Sequence, residues 1–437
     1  MSDYLRLLIA KLNFLYPSLL GFGYLRYKRY IILNNYYDYN SEKELLKMVN
    51  YAISAIPFYR EKYSKPISAL DEFTSCIKLI DKDIVMSNWQ SFILPDFNLK
   101  RIIAGTTGGT SGKPLKLLLP KNRYVFELAT MYNMWRHVGW RGQTRAVIRN
   151  NHLKNKQIFK VNAIKKEVIF DGFRTSDEYY FKVYNILRRY KIRFIHAYPS
   201  SAYQFASFIT REKLDVGFIR AFLCGSEALL PEHRELIGQR LGINIYHWYG
   251  HSEKLVLGGY CRRRDLIHVE PTYGYFELID ENGNTITEIG KTGEIVGTTL
   301  HNPYMPLIRY RTGDYAEYAG DYCNECKRHL PLIKNITGRR DINRIYLNDG
   351  TYVSITALNL HNDLYSFIEG MQYVQREKGK LDILIIRGQG YNDLIEKRFT
   401  EHFAVSFNNK CDFSIKYTSA LEKEPNGKFL PLKQYVS

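Results

Sequence analysis

Residues 102–119, IIAGTTGGTSGKPLKLLL, read as a strand, a glycine-rich turn and a second strand. The turn runs Gly105-Thr106-Thr107-Gly108-Gly109-Thr110-Ser111-Gly112-Lys113-Pro114. Glycines let backbone N–H groups approach phosphate oxygens, and the interleaved hydroxyls supply further donors. It is not a Walker A loop. Five residues before Gly112 stands Thr107 rather than glycine, and Pro114 follows the lysine. On its own such a turn reads more often as a flexible loop, so its meaning depends on what surrounds it.

Upstream, Ser41 with Glu44 forms a capping-box pattern before Leu45, Leu46, Val49, Ile53 and Ile56, an amphipathic helix ending near Pro57. Downstream, from about residue 175, strands and helices alternate. Thr175 and Glu178 can cap a helix through Tyr190, and Arg193–Tyr198 is a strand broken by Pro199. A helix is expected from Ser200 or Ser201, a strand at Ile219–Cys224, a helix between Pro231 and Gly242, and a strand at Ile243–Trp248. Such units build a mostly parallel sheet with ligands at the carboxyl ends of its strands. Gly225-Ser226-Glu227 and Tyr249-Gly250-His251-Ser252-Glu253 fall at those ends. The character then turns β-rich, with a hairpin expected around Glu281-Asn282-Gly283-Asn284 and a strand at Gly293–Leu300. A short mixed segment follows: strand Leu381–Arg387, helix Asp393–Phe403, strand Phe413–Tyr417. The expected fold is therefore α/β: a large domain over residues 1–340, with mostly parallel sheets and a β-rich subdomain, and a small α+β lid over 341–437.

The glycine-rich turn is joined by four more motifs. They are Tyr249 to Glu253, Arg309-Tyr310-Arg311-Thr312-Gly313-Asp314, Gly338-Arg339-Arg340-Asp341 and Asn426-Gly427-Lys428. In this order and spacing they resemble the phosphate loop, aromatic-Gly-x-Thr-Glu, Tyr-x-Thr-Gly-Asp, hinge and catalytic-lysine motifs of the acyl-CoA synthetase, peptide-synthetase adenylation-domain and luciferase superfamily. The short N-terminus, Gly225-Ser226-Glu227 and the short C-terminal part look most like the phenylacetate–CoA ligase group. Within it they look most like the adenylate-forming proteins of capsular-polysaccharide biosynthesis. Two positions depart from the pattern: Gly108 stands where many members have Ser, and Ser111 where many have Thr.

The resemblance implies roles. Thr107, Gly108, Gly109, Thr110, Ser111, Gly112 and Lys113 would cradle the β- and γ-phosphates of ATP. Glu253 would ligate Mg²⁺, a hard cation that takes carboxylate and phosphate oxygens, and Ser252 would donate to the α-phosphate. Tyr249 with Gly250, and the backbone of Gly225, Ser226 and Glu227, would enclose adenine. Asp314 would accept from both ribose hydroxyls, with Arg339 beside it. Lys428 would bridge carboxylate and α-phosphate, and the small domain would swing about Asp341. His196, Tyr198, Ser200 and Ser201, at a strand end, are candidates for the acid pocket. Taken singly, Asp314 reads as a turn residue, Glu253 as a helix cap and Lys428 as a tail lysine; five ordered motifs outweigh those readings.

The implied activity is ATP-dependent conversion of a carboxylic acid to an acyl-adenylate, then transfer to an acceptor. That acceptor is the coenzyme A thiol or an amine or hydroxyl of a sugar precursor. The alternative is a catalytically silent scaffold in a membrane-associated glycan-assembly complex, which needs none of Lys428, Glu253 and Asp314.

Composition sets outer bounds. Sixty-two Lys and Arg against 44 Asp and Glu leave a charge of +18, which favours polyanions without choosing among them. No nucleic-acid module signature accompanies it, so no nucleic-acid partner is expected. Leu5 to Leu25 is apolar but interrupted by Lys11, Asn13, Pro17 and glycines. It falls short of the roughly 20 uninterrupted residues of a spanning helix. A cytoplasmic protein is expected, with peripheral attachment at the inner membrane face as an option. The six cysteines lack a disulfide-framework spacing. Cys323-x₂-Cys326 with Cys261 and His268 makes a reasonable Cys₃His zinc set, structural rather than catalytic, with His247 or His251 as substitutes for the fourth ligand.

Overall fold

A computed structural model describes residues 2–12, 22–36, 40–107, 115–154, 156–261, 265–338, 344–355, 357–358, 363–421 and 431–436. The residues expected to cradle phosphates, Gly108, Gly109, Thr110, Ser111, Gly112 and Lys113, lie outside them, as do Arg339, Asp341 and Lys428.

One 12-stranded sheet organises the large part of the chain. Its strands are β3 (Arg145–Arg149), β4 (Phe159–Asn162), β5 (Glu167–Asp171), β6 (Phe194–Ala197), β7 (Ala221–Gly225) and β8 (Asn244–Gly250). They continue as β9 (Leu257–Gly259), β10 (Ile267–Val269), β11 (Gly274–Ile279), β12 (Thr292–Thr299), β13 (Tyr310–Cys323) and β14 (Arg328–Thr337). A separate hairpin, β1 (Ile102–Thr106) with β2 (Lys116–Pro120), precedes them. The spatial order is β11-β12-β13-β14-β10-β9-β8-β7-β6-β3-β5-β4. From β5 to β8 neighbours run parallel, and beyond β8 every pairing is antiparallel. The parallel layer and the β-rich region are thus one surface that changes character at β8.

The parallel strands are covered on both faces, which is why they read as continuous apolar runs. Phe194, Ala221, Leu223, Tyr246 and Trp248 pack on the side of helix Arg123–Met134. Ile195, Ala197, Phe222, Cys224 and Ile245 pack against helices Asp177–Arg189 and Pro199–Arg211. The alternation along each strand is the period-2 geometry of a pleated chain.

The C-terminal segment builds a second core. A four-stranded sheet joins β17 (Ile368–Glu377), β18 (Lys380–Arg387), β19 (Asp412–Tyr417) and β20 (Leu432–Gln434), with helix Asp393–Phe407 packed on it. This unit touches the large sheet's helices through Arg344 to Glu232 at 2.7 Å and Gln204 Nε2 to the Tyr352 carbonyl at 2.6 Å. His152 and Ser406 meet at 3.3 Å.

Several boundaries differ from expectation, each for a local reason. Asn40, not Ser41, caps helix Ser41–Ala55, its side chain accepting from the Lys43 amide at 3.1 Å. Ser176, not Thr175, caps helix Asp177–Arg189. Pro199 is the first residue of its helix rather than the breaker before it, its lost N–H being one that would have no partner there. The expected hairpin at Glu281–Asn284 shrinks to a single bridge, Ile279 to Thr285, because the Asp280 carboxylate captures the Asn282 and Asn284 amides and β11 pairs with β12 instead.

Candidate active site

Thr107 closes the hairpin that carries the glycine-rich turn. Its amide donates to the Leu115 carbonyl at 3.0 Å and its hydroxyl accepts from the Leu115 amide at 2.9 Å. Both ends of the segment between them are thereby held at the edge of the β1–β2 ribbon.

The end of β8 and the turn after it meet the start of β13. Tyr249 donates its hydroxyl to Asp314 Oδ2 at 2.8 Å. Burial, with Asp314 beside it, pushes the Tyr249 phenol well above its ordinary range, so it keeps the proton it donates. Asp314 is presented by a tight turn. The Glu294 carboxylate takes the Gly313 amide at 2.9 Å and Arg311 Nε at 2.7 Å, and Gly313 adopts φ +74°, a conformation glycine enters freely. The Thr312 hydroxyl donates to the Ile295 carbonyl at 2.7 Å and accepts the Asp314 amide at 3.1 Å.

Glu253 lies on the same edge. His251 Nδ1 is 3.0 Å from its Oε2, and Tyr310 Oη is 3.4 Å from its Oε1. His251 Nε2 accepts the Val256 amide at 3.1 Å. An imidazole that accepts at Nε2 is neutral and carries its proton on Nδ1, so His251 donates to Glu253. Burial pushes this carboxyl up; the His251 hydrogen bond, the backbone amide of Glu253 and the charge of Lys82 together outweigh it and hold the pKa below the ordinary value. Glu253 is therefore an ionised, oriented carboxylate, suited to a hard divalent cation.

The neighbouring strand ends carry the acid-pocket candidates. Arg149, the last residue of β3, places one guanidinium nitrogen 2.9 Å from His196 Nε2 and another 3.1 Å from the Ser226 hydroxyl. Its plane lies over the Tyr198 ring at 4.2 Å. Ser226 sits at φ +74°, unusual for a residue with a side chain. At Gly225 any Cβ would lie 2.2 Å from the Trp248 ring, so only glycine fits. The Glu227 carboxylate accepts the Ser200 amide at 3.0 Å and the Ser354 hydroxyl, and its carbonyl meets His247 Nε2 at 3.0 Å.

No family model matches the chain. It is 30% identical to the phenylacetate–coenzyme A ligase of Pseudomonas putida over 165 residues, 37% of this chain and 37% of that enzyme. To protein CapK of Staphylococcus aureus it is 22% identical over 366 residues, 80% of this chain and 77% of that one. The match to the Pseudomonas enzyme thus spans just over a third of that relative's length. In fold it is similar to 2-hydroxyisobutyryl-CoA ligase in complex with 2-HIB-AMP and CoA, with a TM-score of 0.57, 16% identity, and 92% of this chain and 91% of that one covered. In sequence the chain is thus similar to phenylacetate–coenzyme A ligases and CapK, and it shares the fold of an acyl-CoA ligase.

The candidate residues legible in sequence come together in part. Tyr249, Glu253 and Asp314 share one edge through Tyr310 and the Tyr249–Asp314 bond. His196 and Tyr198 gather around Arg149, whereas Ser200 contributes its backbone to Glu227. Sequence reading missed Arg149 and Tyr310. A charged residue ending the apolar run Arg145–Arg149 was the signal for the first.

Cys261, His268, Cys323 and Cys326 do converge, their ligand atoms all within 4.8 Å of one another. Cys261 and Cys323 Sγ atoms stand 3.8 Å apart, too far for a disulfide. That matches the separation of about 3.8 Å that two Zn–S bonds of about 2.3 Å give at a tetrahedral angle. His268 Nδ1 lies 3.3 Å from the Leu266 carbonyl, while its buried Nε2 has no hydrogen-bond partner. This is how a ligating histidine is oriented from behind. The residues present fit a zinc ion. His247 and His251, the possible substitutes, are engaged with Glu227 and Glu253 instead.

Proposed function

We propose that this protein activates a carboxylic acid with ATP and passes the acyl group to a second acceptor. The observation that carries the reading is the shared edge on which Glu253 and Asp314, 61 residues apart in sequence, are oriented by Tyr310, His251 and Tyr249. In the first half-reaction a carboxylate oxygen attacks the α-phosphorus, the bond to the β-phosphate oxygen breaks, and pyrophosphate leaves. In the second, the acceptor's lone pair attacks the acyl carbon and AMP departs with the electron pair of the broken anhydride bond.

Glu253, with phosphate oxygens, would hold Mg²⁺, which supplies charge neutralisation between the two anions. Ser252 would donate to the α-phosphate, and Asp314 would hold the ribose. Its Oδ2 is already given to Tyr249, but a carboxylate has about four acceptor directions, enough for two hydroxyls as well. Thr107 anchors the loop whose residues Gly108 to Lys113 would cradle the phosphates. Lys428 would bridge carboxylate and phosphate, carried by a small domain over residues 341–437 that turns about Asp341. The Cys261, His268, Cys323 and Cys326 set would hold a structural zinc at the β13–β14 tip.

Similarity to phenylacetate–coenzyme A ligase supports coenzyme A as acceptor, and similarity to CapK supports an amine or hydroxyl of a capsule precursor. Pyrophosphate release with ATP across a carboxylic-acid panel tests the reading. Release with no acid in a broad panel would favour the scaffold.

A membrane-surface location has one observation behind it. Helix Asp3–Leu12 buries Leu7 and Ala10 in the core, yet Leu5, Leu8, Ile9 and Leu12 are 43–64% exposed at i, i+3, i+4 and i+7. Such a stripe, with exposed Arg26 and Arg29 on the next helix, suits the headgroup region of an anionic bilayer. Among the described residues no helix is long and apolar enough to cross a membrane.

A further inference from the structure

Among the described residues, the positively charged end of β3 makes no direct contact with an acid. Arg149 forms no ion pair among the described residues; its contacts are the neutral His196 ring, the Ser226 hydroxyl and the Tyr198 face. Its Nε is buried with no hydrogen-bond partner. His196 is in the same state. Because a guanidinium can only donate, His196 Nε2 must accept, which leaves the ring proton on Nδ1, and that atom too is buried without a partner. The Glu227 carboxylate, which feels the charge of Arg149, gives its hydrogen bonds to Ser200 and Ser354 instead.

Leaving a guanidinium half-buried and unpaired is costly unless something else neutralises it. Here the surroundings hold it in place rather than neutralise it. Ser226 accepts a backbone conformation foreign to serine while meeting a guanidinium nitrogen. Tyr198, 1% exposed, supports the guanidinium plane from below. Arg149 lines a small cleft open to solvent, where Ser200, Ser201 and Ser354 alternate with Phe173, Leu347 and Val353. Its guanidinium is the charged group among these lining residues.

We propose that Arg149 is a specificity-determining residue that binds a second anionic group on the acid substrate, so that the substrates are dicarboxylic or otherwise doubly acidic. This deepens the adenylation reading and rests on it. A planar guanidinium fixed on two sides matches a carboxylate in bidentate geometry. The activated carboxyl would then lie toward Asp314 and Glu253, and the second would stay at the end of β3. The same chemistry could be met by the α-phosphate of the nucleotide, and the experiment separates the two.

Acid-dependent ATP–pyrophosphate exchange is measured for matched pairs: a dicarboxylic acid, its half-ester, and the monoacid of equal chain length. The wild type is expected to favour the diacid over the half-ester by about tenfold or more in kcat/KM. In Arg149→Leu that ratio should collapse toward one, chiefly through KM for the diacid. Arg149→Lys should keep part of it, and Ser226→Ala should weaken it. Thermal melting checks that each variant folds; should Arg149→Leu not fold, the lysine and Ser226 variants carry the test. A diacid ratio unchanged in the variants, with KM for ATP raised for every acid, would assign Arg149 to the phosphate and overturn the proposal. So would a wild type that prefers the monoacid. Absence of exchange with every acid tested would instead bring down the adenylation reading beneath it.

Discussion

The hydroxyl of Tyr249, at the carboxyl end of β8, donates to Asp314 Oδ2, at the start of β13, across 2.8 Å. Two strands that are not neighbours in the sheet are thereby joined at the edge where the motifs gather.

If Asp314 holds both ribose hydroxyls, Asp314→Ala should weaken ATP use by a similar factor for every acid, leaving acid preference unchanged. Tyr249→Phe, which frees the carboxylate to swing, should do so more mildly. Kinetics with ATP and 2′-deoxy-ATP decide it. An Asp314 variant that still prefers the ribose form as strongly as wild type would exclude the contact.

The His251–Glu253 bond has a pH signature. The folded pKa of Glu253 lies below its ordinary 4.5, so the unfolded chain takes up the proton first as pH falls. The stabilisation is complete above that value and is lost below it as the folded carboxyl also protonates. Melting temperature followed from pH 6 to about pH 3 should fall less steeply in His251→Ala than in wild type. Parallel curves would show that the bond does not set this carboxyl.

The cysteine cluster predicts about one equivalent of zinc by elemental analysis of purified protein. Cys323→Ser should lower the melting temperature by several degrees while changing pyrophosphate exchange little. Metal-free protein with unaltered stability would remove the site from consideration.

Lys428, if it bridges the two anions only during adenylation, gives a split between half-reactions. Lys428→Ala should slow adenylate formation by about a hundredfold or more, yet transfer from a preformed acyl-adenylate should suffer little. Equal losses in both steps would contradict that role.

The stripe on helix Asp3–Leu12 predicts binding to vesicles containing anionic lipid, weakened by salt and largely abolished in a Leu8→Glu, Ile9→Glu variant. Co-sedimentation reports it. Equal binding by that variant would mean that the charge of the chain, not this helix, makes the contact.

The parts of the fold readable in the amino acids were those carried by local pattern. The alternation after residue 175 was legible because Pro199, Pro231 and Gly242 punctuate it and the strands are short apolar runs. The long pairing of β13 with β14 was not, since Tyr310–Cys323 carries glycines and charges and contains several register shifts. At the site, Glu253 and Asp314 stood out through their motifs. Arg149 did not, because what distinguishes it is the lack of an ion pair among the described residues, in a setting created by His196, Tyr198 and Ser226 from other chain segments.

The continuity of the 12-stranded sheet bears on how the chain can be made. β10 lies between β9 and β14, and β14 is the last of the twelve to be synthesised. Until residues 328–337 leave the ribosome, β10, whose residues Ile267–Val269 are all buried in the finished fold, presents an unpaired edge. The edge is exposed for the time needed to translate about sixty residues, about 3–12 seconds at roughly 5–20 residues per second. Truncations ending between β10 and β14 should therefore collect as aggregates rather than as a smaller soluble domain.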